Sequence, residues 1–278
     1  MPSIDYIMPA EHLRDYVSVY YVVEFTHGFE DIERAALAQL RFSLDGGGTV
    51  HFARGRTFEL RGVSVIGPTS TAIRYVCDGP YRMFGMGLLP AGWGLLTETP
   101  ANSVRDSIVP ANAIIPGVDD YMGQLQSMSH VSEMAVLADS VLEPLIAEAR
   151  PDILDFTRQV DHWLAANTSP EIADLQSITG LSTRQLARKV NHFYGMPPKY
   201  LSRKYRALRA ARILAENVQE DHDYLYDAFY DQSHMIRELK LFTGTTPAKL
   251  GSDFSLLAPL IDKRSKFVDK ISPLTAKT

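Results

Sequence analysis

The 278 residues are 45% hydrophobic and 22% charged, a composition that excludes disorder as the main state. Apolar runs reach about seven residues where a membrane-spanning helix needs about twenty, and the single cysteine, Cys77, excludes both an intrachain disulfide and a four-cysteine zinc site. The net charge of −5 is unevenly placed: residues 1–150 hold ten arginines, no lysine and eighteen carboxylates, whereas nine basic residues and no acidic one fall within 182–212. A block of unopposed positive charge is the electrostatic footprint of a polyanion partner. The opening Met1-Pro2-Ser3-Ile4-Asp5 lacks the basic-then-apolar layout of a secretory leader, so the expectation is a cytoplasmic chain with no membrane association.

In chain order, the first 118 residues read as β. Apolar alternation marks strands over Tyr16–Glu24, Gln39–Leu44, Thr49–Arg54, Thr71–Cys77 and Arg82–Leu89. Turn signals separate them, among them Asp45-Gly46-Gly47-Gly48, Gly67-Pro68 and Asp78-Gly79-Pro80. Short strands at this spacing predict a barrel or double sheet, an architecture whose interior can hold a small ligand. Arg41, His51, Arg74 and Tyr75 are the candidates to line such an interior, set against a plainer role on the surface. No His-x-His or His-x3-His pair is present, so no metal site, cofactor or catalytic residue is assigned. Gly46-Gly47-Gly48 lacks a following Lys-Ser/Thr and reads as a hairpin turn, and Cys77 reads as a buried, inert thiol.

Near Val118 the period changes to helical. Tyr121–Met128 and Glu133–Ala149 form a helical end (119–149) to the β region, with a kink or break expected at Pro144. Arg150-Pro151-Asp152 reads as a boundary. Helices are then predicted over Ile153–Ala166, Pro170–Ile178, Ser182–Tyr194, Pro198–Asn217, Tyr224–Phe229 and Asp231–Phe242. The expected organisation is a β-rich domain at 1–150, an all-α domain at 151–252 and a tail at 253–278.

The most informative feature is an internal repeat. The helix at Ser182–Tyr194 opens with a capping box, Ser182 and Gln185. It buries Leu186, Val190 and Phe193, stops at Gly195 and is followed by Pro198. At an offset of 49 residues stand Asp231, Met235, Leu239, Phe242, Gly244 and Pro247, with Arg237 in the place of Arg188. Each copy follows a shorter helix through a tight turn, which is a helix-turn-helix, whose second helix enters the DNA major groove. The helix between the copies spans about 28 Å at 1.5 Å per residue, close to the ~34 Å of one turn of B-DNA. A rod of that length can set two recognition helices into successive major-groove segments.

These residues resemble the AraC family of bacterial transcription regulators. The resemblance rests on Gly180-Leu181-Ser182-Thr183-Arg184-Gln185-Leu186-Ala187-Arg188, Tyr194-Gly195-Met196-Pro197-Pro198-Lys199-Tyr200-Leu201 and Arg206-Ala207-Leu208-Arg209-Ala210-Ala211-Arg212. Its most specific part is Phe229-Tyr230-Asp231-Gln232-Ser233-His234-Met235-Ile236-Arg237 with Gly244-Thr245-Thr246-Pro247. It covers residues 171–250 and implies a paired helix-turn-helix DNA-binding domain joined by a central helix. It also implies an N-terminal β-barrel that senses a small-molecule effector or forms a homodimer, and contact with RNA polymerase if the protein is an activator. The stretch Tyr81-Arg82-Met83-Phe84-Gly85-Met86-Gly87-Leu88-Leu89-Pro90 resembles an uncharacterised N-terminal domain found in a subset of these regulators. One residue departs from the pattern. The family places Gly immediately before the Phe of the second turn, and here that position is Ala228. An alanine held in a left-handed conformation costs roughly 1–2 kcal/mol, so the second motif is expected to dock less well than the first.

Base readers on a recognition helix lie opposite its buried face and near its N-terminus. In the first helix these are Arg184, Ala187 and Arg188. In the second they are Gln232, Ser233, Ile236 and Arg237. Arginine can bond guanine bidentately, glutamine can read adenine, and Ala187 can touch a thymine methyl. Thr183, Lys189, Arg203, Lys204, Arg206, Lys240 and Thr246 are assigned to phosphates, while His234 is assigned a structural role at the helix start. The function expected is that of a non-enzymatic regulator bound to a double-stranded DNA operator. Two alternatives stay open: an interaction module with a degenerate second motif, and an enzyme-like barrel tethered to DNA.

Overall fold

The structure is a computed structural model that describes residues 3–216, 225 and 227–250. The start of the expected helix Tyr224–Phe229 and the expected tail 253–278 lie outside the described residues. The β region comprises β1 (Ser3–Ile7), β2 (Val17–Phe25), β3 (Phe29–Glu33), β4 (Gln39–Gly46), β5 (Gly48–His51), β6 (Thr57–Leu60), β7 (Val63–Ile66), β8 (Ile73–Cys77), β9 (Tyr81–Leu88) and β10 (Ile108–Pro110). They form two antiparallel sheets. One has six strands in the order β1-β2-β9-β4-β7-β10, and the other has four in the order β3-β8-β5-β6. The double sheet expected from the strand spacing is therefore present, with more strands than alternation marked.

The six-stranded sheet is covered on both sides. Val19, Tyr21, Val23 and Phe25 of β2 share a core with Val50, Ile73 and Tyr75 of the smaller sheet. Tyr20 and Val22 point the other way, into a core built with α1 (Pro90–Leu96), α2 (Met122–Ser127) and α3 (Val131–Ile146). A strand buried on both faces has no polar side to alternate with, which is why β2 reads as an almost unbroken apolar run. At Pro144 the sequence expectation is corrected. The helix runs through it and ends two residues later at Ile146, the cost of the missing N–H being offset by the packing of Met134, Ala138 and Leu142 on the same helix.

The helical region continues with α4 (Pro151–Ala166), α5 (Ile172–Thr179), α6 (Thr183–Tyr194), α7 (Pro198–Glu216), α8 (Gln232–Thr243) and the single turn α9 (Pro247–Leu250). The bounds of α6 and α8 differ by 49 residues at both ends, as do their N-caps, Ser182 and Asp231, and their left-handed C-caps, Gly195 and Gly244. One core joins Val160 and Trp163 of α4 to Leu175, Leu186, Val190, Phe193, Leu201, Tyr205, Leu208 and Phe242. Ala35 of the β region belongs to the same core. A second, smaller core unites Ala210, Ala211, Ile213, Ala228, Phe229 and Leu239. Among the described residues, no helix is long and apolar enough to cross a membrane.

The caps carry the repeat energetically. Ser182 Oγ accepts from Gln185 N and Asp231 Oδ1 accepts from His234 N at 2.6 Å, each satisfying an otherwise orphan helix-start amide. Ser182→Ala and Asp231→Ala should each lower the unfolding free energy by about 1 kcal/mol, measured by denaturant titration; a loss near zero at both sites would remove the caps from the account of the repeat.

Candidate nucleic-acid interface

In the first motif, α5 ends at Gly180, whose φ of +67° lets the chain reverse within two residues into the Ser182 cap. Gln176 Nε2 donates to Thr183 Oγ1 at 3.1 Å and ties the two helices across the turn. Leu186, Val190, Phe193 and Tyr194 face inward, and hydrogen bonds from Tyr194 Oη to Asp161 Oδ1 (2.6 Å) and Thr157 O (2.9 Å) pin α6 to α4. With that side fixed, Arg184 and Arg188 stand exposed and Ala187 half-buried on the opposite side. The proposed readers of the first helix therefore share one outward face.

In the second motif Gln232, Ser233, Ile236 and Arg237 are all exposed along α8, while Leu239 and Phe242 are buried. The strain expected at Ala228 is absent. Ala228 is helical and buried, and it is not among the positive-φ residues of the chain. The chain leaves that helix through Phe229 and Tyr230 with no left-handed residue, and Asp231 caps α8 directly. The second turn is thus built differently from the first, which has its left-handed Gly180. His234 takes the structural place expected of it, its Nδ1 accepting from Tyr230 N at 3.4 Å and its ring meeting Phe229 edge-on.

The residues assigned to phosphates divide. Thr183 and Lys240 are exposed, and Thr246 is half-buried beside α9. Lys189 lies 4.3 Å from the centre of the Phe156 ring, and Arg206 donates to Ser169 Oγ at 2.8 Å. Arg203 is held by Glu238 of α8 through two bonds, Nε to Oε2 (3.1 Å) and Nη2 to Oε1 (2.7 Å), so its charge is already neutralised. Lys204 requires correction. It is fully buried and donates to two carbonyl oxygens of the β region, Ala36 O (2.7 Å) and Thr69 O (3.0 Å), so no phosphate can reach it in this arrangement. A signal for this stood in the sequence. Lys204 is three residues after Leu201 and four before Leu208, squarely on the apolar stripe of α7.

The four residues proposed to line the β interior also divide, and by strand alternation. Arg41 and Tyr75 are buried between the sheets, the guanidinium 4.9 Å from the ring centre. Arg41 donates to Glu33 Oε2 (2.9 Å), Gln39 Oε1 (2.6 Å) and Tyr21 Oη (3.2 Å). Burial works against the Arg41 charge, but the facing Tyr21, Tyr75 and Glu33 groups hold its pKa well above the ordinary guanidinium value. His51 and Arg74 are register partners on β5 and β8 and face outward. His51 lies between the Thr49 and Thr57 hydroxyls, and Arg74 pairs with Glu30. Adjacent residues on a strand point to opposite faces, so Arg74 and Tyr75 could never have shared one lining.

What the sequence reading missed is the seam between the two regions. Tyr200 Oη donates to Ser70 O at 2.8 Å, Arg105 Nη1 donates to Gly195 O at 3.3 Å, and Arg158 pairs with Asp15 at 2.7 Å. Gly94 of α1 lies so close to Phe193 that a Cβ there would approach a ring carbon to 2.8 Å. Burial pushes the Lys204 ammonium down to about 7, with Asp106 opposing the shift and Arg34 adding to it.

Among known proteins, residues 5–110 match the family described as "Domain of unknown function (DUF6597)", a span that includes Tyr81–Pro90. No curated protein matches the chain. Among solved structures, the chain is similar to ToxT from Vibrio cholerae at 8% identity, covering 89% of this chain and 97% of that one with a TM-score of 0.47. Unsaturated fatty acid-bound wild-type ToxT of strain SCE256 matches at 7% identity over 82% of this chain and 92% of that one, TM-score 0.47. A cupin superfamily protein from Desulfitobacterium hafniense matches at 16% identity over 32% of this chain and 77% of that one, TM-score 0.26.

The Lys204 geometry has a pH consequence with a definite sign. The folded pKa of about 7 lies below the ordinary lysine value of about 10.4, so the unfolded chain binds the proton more tightly. Stability contributed at this site therefore rises with pH between about 7 and about 10.4 and is flat below that window. The unfolding free energy of the wild type minus that of Lys204→Met should climb from pH 7 to 9, by at most about 1.4 kcal/mol per pH unit. A difference that stays flat across this window would show that the ammonium remains charged when buried.

Proposed function

We propose that the chain is an AraC-type transcription regulator, which binds double-stranded DNA sequence-specifically through α6 and α8 and is controlled through its β region by a small-molecule effector or by dimerisation. The observation that carries the reading is the pair of capped helices 49 residues apart, each burying one face and leaving base-reading side chains exposed on the other. Arg184, Ala187 and Arg188 read one major-groove segment, and Gln232, Ser233, Ile236 and Arg237 the next. Thr183, Lys189, Arg206, Lys240 and Thr246 remain as phosphate contacts. Lys204 leaves that set because it is buried, and Arg203 because Glu238 neutralises it. No step of catalysis is required of any residue.

The test is selection of bound sequences from a random duplex library with the full chain at about 150 mM salt, where phosphate contacts still contribute but non-specific binding is weakened. Enrichment of two elements about ten base pairs apart is expected for two recognition helices one DNA turn apart. On the enriched site, Arg184→Ala should cost about 1–3 kcal/mol and relax the preference at one base pair. Affinity should also fall by about fortyfold between 50 and 200 mM salt from the three cations that remain on phosphates, Lys189, Arg206 and Lys240. A flat salt response, or equal affinity for unrelated DNA, would sink the proposal.

A further inference from the structure

The two motifs are linked by more than α7. Two segments of the β region, 34–38 and 67–72, are bonded to each other: Ala36 N donates to Thr69 Oγ1 at 2.7 Å and Thr69 N to Ala36 O at 3.1 Å. From this paired platform, Ala35 N donates to Phe242 O at 2.7 Å and Ala72 N to Leu241 O at 3.1 Å. Leu241 and Phe242 lie in the last turn of α8, where carbonyls have no partner within the helix. The β region thus supplies the C-terminal cap of the second recognition helix. At the end of the first, Gly195 O accepts from Arg105.

Both C-cap glycines rest on the same platform. A Cβ on Gly195 would lie 2.9 Å from the Pro68 side chain, and one on Gly244 would lie 2.5 Å from Ile32 and 3.2 Å from Ala72. Equivalent positions of the repeat are therefore seated on neighbouring parts of one surface. Between them, Tyr200 and Lys204 of α7 bond to Ser70, Ala36 and Thr69. Every one of these contacts uses the C-terminal ends of the recognition helices or the buried side of α7. The exposed faces carrying Arg184, Arg188, Gln232 and Arg237 stay free.

We propose that the β region is a clamp that fixes the separation and orientation of α6 and α8, so that half-site spacing on DNA is set by the docked platform together with α7, with Lys204 as its pin. The proposal rests on the DNA-binding reading above and adds residues that determine specificity without touching a base: Lys204, Tyr200 and Arg105. Anything that loosens the platform would alter which spacings are tolerated, not which bases are read.

The test uses the full chain and two variants. Lys204→Glu sets a carboxylate against two carbonyl oxygens, and the milder pair Tyr200→Phe with Arg105→Ala removes two bonds across the seam while keeping Lys204. The first readout is hydrogen exchange at the amides of Ala35 and Ala72, which needs no DNA. Each variant removes two bonds; exchange should quicken by about tenfold in the mild variant and by on the order of a hundredfold in Lys204→Glu, which also leaves a carboxylate facing carbonyl oxygens. The second is library selection, in which the wild type should enrich one spacing. The variants should enrich the same two elements over several spacings. Faster exchange with an unchanged single spacing overturns the proposal, because α7 alone then sets the geometry. Unchanged exchange in the mild variant overturns it as well, since Tyr200 and Arg105 then do not help to hold the platform against the helices. If the wild type itself enriches no sequence, the DNA-binding reading fails, an outcome distinct from either. If Lys204→Glu does not fold, the mild variant decides by itself.

Discussion

A lysine ammonium removed from water must be met by oxygen, and in this chain the oxygens come from the other half of the molecule. Lys204 sits within the apolar stripe of α7 and reaches Ala36 O and Thr69 O, which belong to two β-region segments already bonded to each other. Those carbonyls are the only hydrogen-bond acceptors it has among the described residues. Charged or neutral, a buried amine whose N–H groups are unmet is costly, so the platform carbonyls favour the packing of α7 here. The neighbouring contacts follow from that seat. Tyr200, one turn earlier, meets Ser70. Arg203, one residue away, turns to Glu238 and draws α8 alongside α7.

The β region has little slack with which to shift beneath this seat. Its larger sheet is buried on both faces, by the smaller sheet on one side and by α1 to α3 on the other. Between the sheets lies Arg41, whose guanidinium is satisfied by Glu33, Gln39 and Tyr21 and stacked near Tyr75. Glu33 ends β3, and Ala35 lies two residues beyond it. The buried polar cluster and the docking platform therefore share one short piece of chain. A change at the cluster has a covalent route to the seam, through Arg34 and Ala35.

The two repeated helices, α6 and α8, show how a repeat in sequence acquires asymmetry in structure. Their caps, bounds and apolar faces coincide at the 49-residue offset. Their entrances do not, since Gly180 supplies a left-handed turn to the first and Ala228 stays helical in the second. Their exits differ as well. Gly195 O accepts a guanidinium, whereas Leu241 O and Phe242 O accept two backbone amides. The β region thus reaches the end of the first helix through a side chain and the end of the second through backbone amides.

Much of this architecture was legible in the residues. Local rules write the caps, the stop glycines, the i, i+4, i+7 stripes and the strand alternation, so the two-sheet and helical layout and the positions of α6 and α8 could be read directly. Strands such as β3 and β6 escaped because they are short and half exposed, and β1 because only one of its residues is fully buried. The roles of the ionisable residues were a different matter. Charge and position on a helix left Lys204, Arg203 and Arg206 equally open to phosphate, and alternation alone left Arg41 beside His51 as a candidate lining. Their assignment depends on what stands opposite, and that is supplied by segments more than a hundred residues away for Lys204 and 35 away for Arg203. Secondary structure is decided by neighbours in sequence; the environment of a charge is decided by neighbours in space, and only the tertiary fold determines those.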